Sequence, residues 1–534
     1  MKKLLFSIVL GAFLYSCNSK PSATENTRVS TEKTGETADS ANVNDKYTAE
    51  QHRPQFHFSP PQMWMNDPNG MVYYAGEYHL FYQHYPDSTI WGPMHWGHAV
   101  SKDMVHWQNL PIALYPDSLG YIFSGSAVVD ENNTAGFQKG NEKTLVAIFT
   151  HHNPKTQKQV QSLAYSNDKG RTWTKYANNP VLPNPGISDF RDPKVSWYAP
   201  EKKWVMTLAV KDRVHFYGSP DLKKWQLLSE FGKGNVGAHG GVWECPDLFP
   251  LTVNGQQKWV LFVSINPGGP NGGSATQYFI GDWNGKEFKN SNPPQTTLWV
   301  DQGSDNYAGV TWSNIPASDG RRLFMGWMSN WFYANQVPTQ NWRSATTVAR
   351  ELTLQNTPAG IRLASTPVKE LQQLWQETKT IKAQEISSTL DLSKEYNLTS
   401  PLIELNLNFD VAKSSELLLT FSNTKGEYVN IGYSVPAKQL FIDRTHAGKT
   451  NFEPRFAKKH VAPLILQNGK LNLHLFLDVA SVEVFANNGQ LVMTDIFFPN
   501  EDFTQVKVST KGAAQLLESQ AYPLKSIWKE ALKE

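Results

Sequence analysis

Three acidic residues of the 534-residue chain sit where they could do chemistry: Asp67 in WMNDPNG (64–70), Asp192 in FRDPKV (190–195) and Glu244 in WECPDLF (243–249). A turn is the simpler reading of Asp67 taken alone, because Asp, Asn, Pro and Gly preset or tolerate turn angles and bond their own main chain. Brought together by a fold, such residues gain a second use. Two carboxylates about 5–5.5 Å apart can carry out retaining glycoside hydrolysis, one as nucleophile and the other as acid then base, while a third holds the sugar ring.

Residues this far apart in sequence meet only if the elements between them repeat. Four segments share a turn pattern, SKDMVHW (101–107), SNDKGRTW (166–173), SPDLKKW (219–225) and, more weakly, GDWNGKEF (281–288). In each, an Asp among Ser, Asn or Gly makes a tight turn and an aromatic follows, as expected of a hairpin repeated once per unit. Strand-like runs such as MVYYAGEYHLFYQH (71–84), TLVAIFTHH (144–152), KWVMTLAV (203–210) and KWVLFVSI (258–265) lie between them. A spacing of about 50–65 residues and this strand content predict a β-propeller of about five blades. Its inner strands would converge on a central depression, with the three acids on different blades.

Beyond Leu352 the repeat stops, and KELQQLWQETKTI (369–381) reads as a short helical or irregular connector. Alternating strands follow: IELNLNF (403–409), ELLLTFS (416–422), LNLHLFLD (471–478) and SVEVFANNGQLVM (481–493), the last with an NNG hairpin turn. These predict a β-sandwich. The fold class is therefore all-β, with a propeller over 54–355, a linker over 356–385 and a sandwich over 386–534. The 18 Trp, 20 Tyr and 27 Phe, with 36 Gly and 32 Pro, suit many short aromatic strands joined by turns.

Lys plus Arg number 50 against 48 Asp plus Glu, a formal charge of +2 that offers no field for nucleic acid. At the start, MKKLLFSIVLGAFLYSCNSK has two lysines, an apolar run and then small and polar residues. It reads as an export signal, residues 1–17, too short to span a membrane in the mature protein. Cys17 just past the apolar run fits a bacterial lipobox and would be the lipidated first residue, although Tyr15 is an imperfect match; a plain secretory signal is the alternative. Lipid on Cys17 would be the one membrane contact and would leave the protein periplasmic or on the outer surface. Residues 18–53 are polar and read as a disordered tether. Cys245 is the only other cysteine, so no internal disulfide framework is expected. The histidines at 84, 95, 98, 151 and 152 lack the spacing of a structural zinc site, and neither metal nor cofactor is expected.

In this order, WMNDPNG, FRDP and WECPD resemble the motifs of glycoside hydrolase family 32, the β-fructosidases that include invertases, inulinases and levanases. FYQH (81–84), WGHAVSKDMVHW (96–107), FSGSAV (123–128) and SVEVF (481–485) add to the resemblance, which covers nearly all the mature chain. It implies that Asp67 is the nucleophile attacking the anomeric carbon of a fructosyl unit. Glu244 would protonate the departing oxygen and then activate water, a task for a group poised near working pH. Asp192 would stabilise the transition state, with Arg191 as a fixed positive charge helping to keep both carboxylates ionised.

The same resemblance suggests Asn66 and Gln83 for sugar hydroxyls, Trp64 and Trp91 as apolar walls and Phe123 and Ser124 at the rim. Asp305, Tyr307 and Trp331 either line the pocket or pack the propeller. Cys245 is expected as a small buried residue tuning its neighbour Glu244. The implied partner is a fructose-containing oligo- or polysaccharide, levan or inulin and also sucrose. An endo-acting fructanase, another five-bladed glycosidase such as an arabinan-cleaving one, a sialidase and a non-catalytic fructan-binding lipoprotein are the alternatives. The intact acidic set argues against the last.

Overall fold

The structure, a computed structural model, describes residues 47–528. The export signal, Cys17 and the tether as far as residue 46 lie outside the described residues. Five antiparallel sheets form the propeller, with inner strands Met63–Tyr74, Tyr121–Asp130, Phe190–Tyr198, Val242–Val253 and Tyr307–Thr311. The ring closes where Trp342–Arg343 pairs in parallel with Met63–Trp64 of the first blade. Thr144–His152, the second strand of blade 2, is buried at all nine positions, because neighbouring blades cover both of its faces.

The repeated turns fall at one place, between the third strand and the outer strand of blades 1 to 4. Asp103, Asp168 and Asp221 each accept backbone N–H groups two to four residues ahead at 2.8–2.9 Å. The tryptophan that ends each of these three turns donates its indole N–H to a backbone carbonyl three residues earlier, at 2.8–3.2 Å. Asn284 takes the acceptor role in the weaker fourth copy.

Blade 5 lacks this turn, and there the sequence boundary is short. Arg350–Thr357 pairs with Gly360–Pro367, which is the blade's outer strand and not linker. Leu352, Leu354 and Leu363 pack it against the strands of blade 4. The connector is a 3₁₀ helix, Lys369–Leu374, and the chain joins the sandwich by Lys379–Thr380, which pairs with Ala514–Pro523. The tether boundary also moves. Residues 47–53 are packed, because Arg53 is fully buried between the Tyr47 and Trp342 rings and bonds Ser59 and the carbonyl of Pro60.

The two sheets of the sandwich enclose one apolar core, which includes Leu405, Leu407, Leu419, Ile431, Val482 and Val484. A second cluster runs across the domain boundary, joining Phe58, Tyr82 and Trp312 to Phe476, Phe485 and Tyr522. The propeller and sandwich thus share buried apolar surface, worth roughly 25 cal/mol per Å² removed from water.

Candidate active site

At one mouth of the propeller axis the inner strands break register. Shifts fall between Met65 and Pro68, Ile122 and Gly125, Glu244 and Asp247, and Tyr307 and Val310. WMNDPNG is therefore not a hairpin turn but a bulged strand. A bulge re-aims a side chain, and the proline in Asp67-Pro68, Asp192-Pro193 and Cys245-Pro246 brings no N–H to be orphaned there. Asp192 and Cys245 take left-handed angles, φ 64° and 44°, which cost on the order of 1–3 kcal/mol each for a non-glycine residue. Gly70 has φ 54°, and a Cβ there would meet Phe81 at 2.5 Å.

These distortions bring Asp67, Asp192 and Glu244 into one cavity of about 410 Å³. Asp67 accepts the Ser124 hydroxyl at 2.7 Å on one oxygen and the Asn66 amide at 3.0 Å on the other. Asn66 is itself fixed by the Trp64 indole N–H at 2.6 Å. Arg191 donates Nε and Nη2 to one Glu244 oxygen at 3.1 and 3.0 Å, and Nη1 to Asp189 at 2.5 Å. The other Glu244 oxygen accepts the Tyr307 hydroxyl. The positive charge expected beside Asp192 is thus bonded to Glu244 and Asp189, while its Nε stands 4.0 Å from Asp192.

Four carboxylates (Asp67, Asp189, Asp192 and Glu244) line the cavity with one guanidinium. Burial pushes Asp192 up to about 7 despite Arg191, and Glu244 and Asp67 add to the rise. Asp67 is raised by burial and by Glu244, while the bonds from Ser124, Asn66 and Cys245 pull it back. Arg191 thus does not offset the burial of Asp192, whose titration belongs to the cluster.

Cys245 occupies a different place from the one expected. Its Sγ lies 3.5 Å from Asp67 and 3.7 Å from Asp192, and its backbone N–H donates to Asp192 at 3.0 Å. Its bonds to the other two acids pull their pKa values down against burial. Burial and three surrounding carboxylates hold the thiol well above its usual range, so it stays an S–H donor.

Asn66, Gln83, Trp91, Phe123, Ser124, Arg191 and Trp331 line the cavity. Gln83 brings a buried amide nitrogen with no partner, a donor ready for a ligand hydroxyl. Trp64 does not form a wall. It is fully buried beneath one, stacked on Trp331 at 5.9 Å. Tyr307 is also buried and acts through Glu244. Asp305 is not in the site at all: it pairs with Arg444 of the sandwich at 2.6 Å and accepts the Tyr333 hydroxyl at 2.6 Å.

His152, Gln157, Gln159, Asp189 and Asn335 complete the lining and were missed in the sequence. Asp189 stands two residues before Arg191, and that spacing was a usable signal. Asn335 and Gln157 come from loops with no motif to mark them. His152 stacks on Phe123 at 4.4 Å, a contact made across two strands of blade 2.

Residues 57–367 match the Glycosyl hydrolases family 32 N-terminal domain and residues 370–523 the Glycosyl hydrolases family 32 C terminal. The chain belongs to glycoside hydrolase family 32. It is 53% identical over 493 residues to a levanase of Bacillus subtilis, covering 90% of this chain and 72% of that one. An extracellular exo-inulinase of Aspergillus awamori is 37% identical over 519 residues, 89% of this chain and 95% of that one. The crystal structure of exo-inulinase from Aspergillus awamori superposes with a TM-score of 0.83 at 35% identity, over 90% of this chain and 99% of that one. A β-fructofuranosidase from Schwanniomyces occidentalis complexed with fructosyl-erythritol gives 0.79 at 33% identity, with coverages of 90% and 99%. This family 32 member is thus a glycoside hydrolase with a five-bladed propeller and a C-terminal sandwich.

Proposed function

We propose that the protein is an exo-acting, retaining β-fructosidase that removes terminal fructosyl units from fructans, with levan its best polymer. The convergence of Asp67, Asp192 and Glu244 on one small cavity carries this reading. Asp67, held by Ser124 and Asn66, is the nucleophile at the anomeric carbon. The glycosidic C–O bond breaks as the Asp67 carboxylate forms its ester to the sugar, and Glu244 gives its proton to the departing oxygen. Water then attacks the same carbon and gives a proton to Glu244, and the carboxylate of Asp67 is released.

Glu244 suits that two-way task. Its side chain is 20% exposed to the pocket against 6% for Asp192. Asp192, fixed by the Cys245 N–H, stays put and holds hydroxyls of the sugar. Trp64, Cys245, Tyr307 and Trp327 pack as one buried cluster. A cavity of about 410 Å³ suits a chain end better than a long stretch of polymer, which supports exo action. Preference for levan is supported by the 53% identity to a levanase, against 37% to an exo-inulinase.

The test is the product profile on levan, inulin and sucrose at early times. Fructose alone, fastest from levan, is expected. A ladder of oligosaccharides would replace exo with endo action, and tight levan binding without any product would make the protein a binder.

Export with a lipid on Cys17 belongs to the same reading, supported by the N-terminal sequence and by the extracellular exo-inulinases it resembles. Among the described residues no helix is long and apolar enough to cross a membrane. Incorporation of labelled palmitate that persists in Cys17→Ser would overturn the lipid assignment.

A further inference from the structure

The inner strands that deliver the catalytic acids at one mouth of the axis run on to the opposite mouth. There a second cavity of about 310 Å³ opens, and Lys194, Asp247, Thr311 and Arg322 are among the residues lining it. Lys194 follows Asp192 by two residues and Asp247 follows Glu244 by three, so at about 3.3 Å per residue these groups stand roughly 7–10 Å further along their strands. One Asp247 oxygen accepts the Thr311 N–H at 2.7 Å and its hydroxyl at 2.8 Å, and lies 3.2 Å from the Lys194 ammonium.

Arg322 is the group left over. It enters from Arg322–Trp327, the second strand of blade 5, with its guanidinium 5.2 Å from the centre of the Phe249 ring. Its Nε is buried without a hydrogen-bond partner. Among the described residues no carboxylate comes within 4.0 Å of it, whereas Arg321 beside it pairs with both Asp319 and Glu370. A guanidinium cannot shed its proton, and a buried N–H donor without an acceptor is costly. Glu131, on the cavity lining, is exposed to solvent. Asp247, held by Lys194 and Thr311, acts on Arg322 only through space, and no carboxylate of the lining is bonded to the Arg322 fork.

We propose that this cavity is an oxyanion site, in which Arg322, set against the Phe249 ring, takes two oxygens of a carboxylate or phosphate. A planar fork on an aromatic face suits bidentate oxyanions better than chloride. A ligand there would bind only the folded ring and stabilise it in proportion to its occupancy. The site stands at the far mouth from the sugar pocket, so it is independent of the glycosidase reading.

The experiment is thermal unfolding of the full chain titrated with sodium phosphate and, separately, sodium acetate, with chloride holding ionic strength constant. A saturable rise in Tm of about 2 °C or more is expected with at least one of the two, and the stronger names the ligand class. Arg322→Met, which keeps the stem and its packing, should lose that rise while sucrose turnover is unchanged. A rise that persists in Arg322→Met, or none with either anion, overturns the proposal. Glu131→Gln separates an internal counter-ion. Tighter phosphate or acetate binding supports the site, whereas a lower Tm with no anion response makes Glu131 the partner of Arg322 and overturns it.

Discussion

Two regions of the molecule are built from the same residue types and do opposite things. In the sugar pocket, four carboxylates share one arginine beside an open cavity. At the boundary between propeller and sandwich, Arg350 pairs with Asp301 and Glu483, His57 bridges Asp478 and Glu483, and Arg444 pairs with Asp305. The boundary groups are sealed from water: the side chains of Arg350, Glu483, His57 and Asp478 are 0% exposed. Where anions outnumber cations next to a cavity, protons are held and can be moved. Where charges interlock out of water, they fix geometry instead, and removing one leaves its partner stranded.

The sharpest way to separate the two is to neutralise one charge in each. Asp67→Asn should lower kcat/KM on sucrose by about 10⁴-fold or more, and Glu244→Gln by about 10²–10⁴-fold, with thermal unfolding little changed. Arg350→Met should do the reverse, costing about 3–5 kcal/mol in urea unfolding while the folded fraction keeps its kcat. Equal losses of activity and stability in the pocket and the boundary variants would erase the distinction.

The boundary should also carry a pH dependence of its own. Burial alone would lower the pKa of His57, but its bonds to Asp478 and Glu483 win and raise it to about 9. A group raised on folding stabilises fully below its unfolded pKa of about 6.5 and loses that contribution as pH rises through about 9. Stability should fall by roughly 3 kcal/mol across that window, and His57→Gln should flatten the curve of Tm against pH. An unchanged slope in that variant would remove His57 from the account.

Smaller effects test whether the regions communicate. Tyr333 bonds Asp305 and Arg444 at the boundary, and its loop carries Trp331 and Asn335 into the pocket. Tyr333→Phe should cost about 1–3 kcal/mol and raise KM several-fold with kcat nearly unchanged. No change in KM would mean that the wall holds itself. Within the pocket, Cys245→Ala removes a donor that lowers the pKa of Asp67. In the proposed mechanism Asp67 attacks as the carboxylate, so the acid limb of the kcat/KM profile should move to higher pH; a fixed or lowered limb would show that the thiol does not tune Asp67.

Much of this was readable in the chain, and the reasons are local. The turn that recurs at Trp107, Trp173 and Trp225 uses an Asp and an aromatic at fixed offsets, so propeller repeats show in sequence without any long-range contact. Blade 5 lacks that turn, which is why its outer strand Gly360–Pro367 reads as linker. Arg53 looks like part of a polar tail because its partners, Tyr47 and Trp342, stand nearly 300 residues apart.

The site divides the same way. Asp67, Asp192 and Glu244 are marked by motif, and so are Asn66, Gln83 and Arg191. The sequence by itself determined the residue types, the repeat and the family, since these rest on short-range patterns. Only the tertiary structure decided that Asp305 serves the boundary, that Trp64 lies under the wall, and that Cys245 touches Asp67 and Asp192. Those outcomes depend on which way a bulged strand aims a side chain and on what another blade or domain sets opposite it, and no local pattern encodes either.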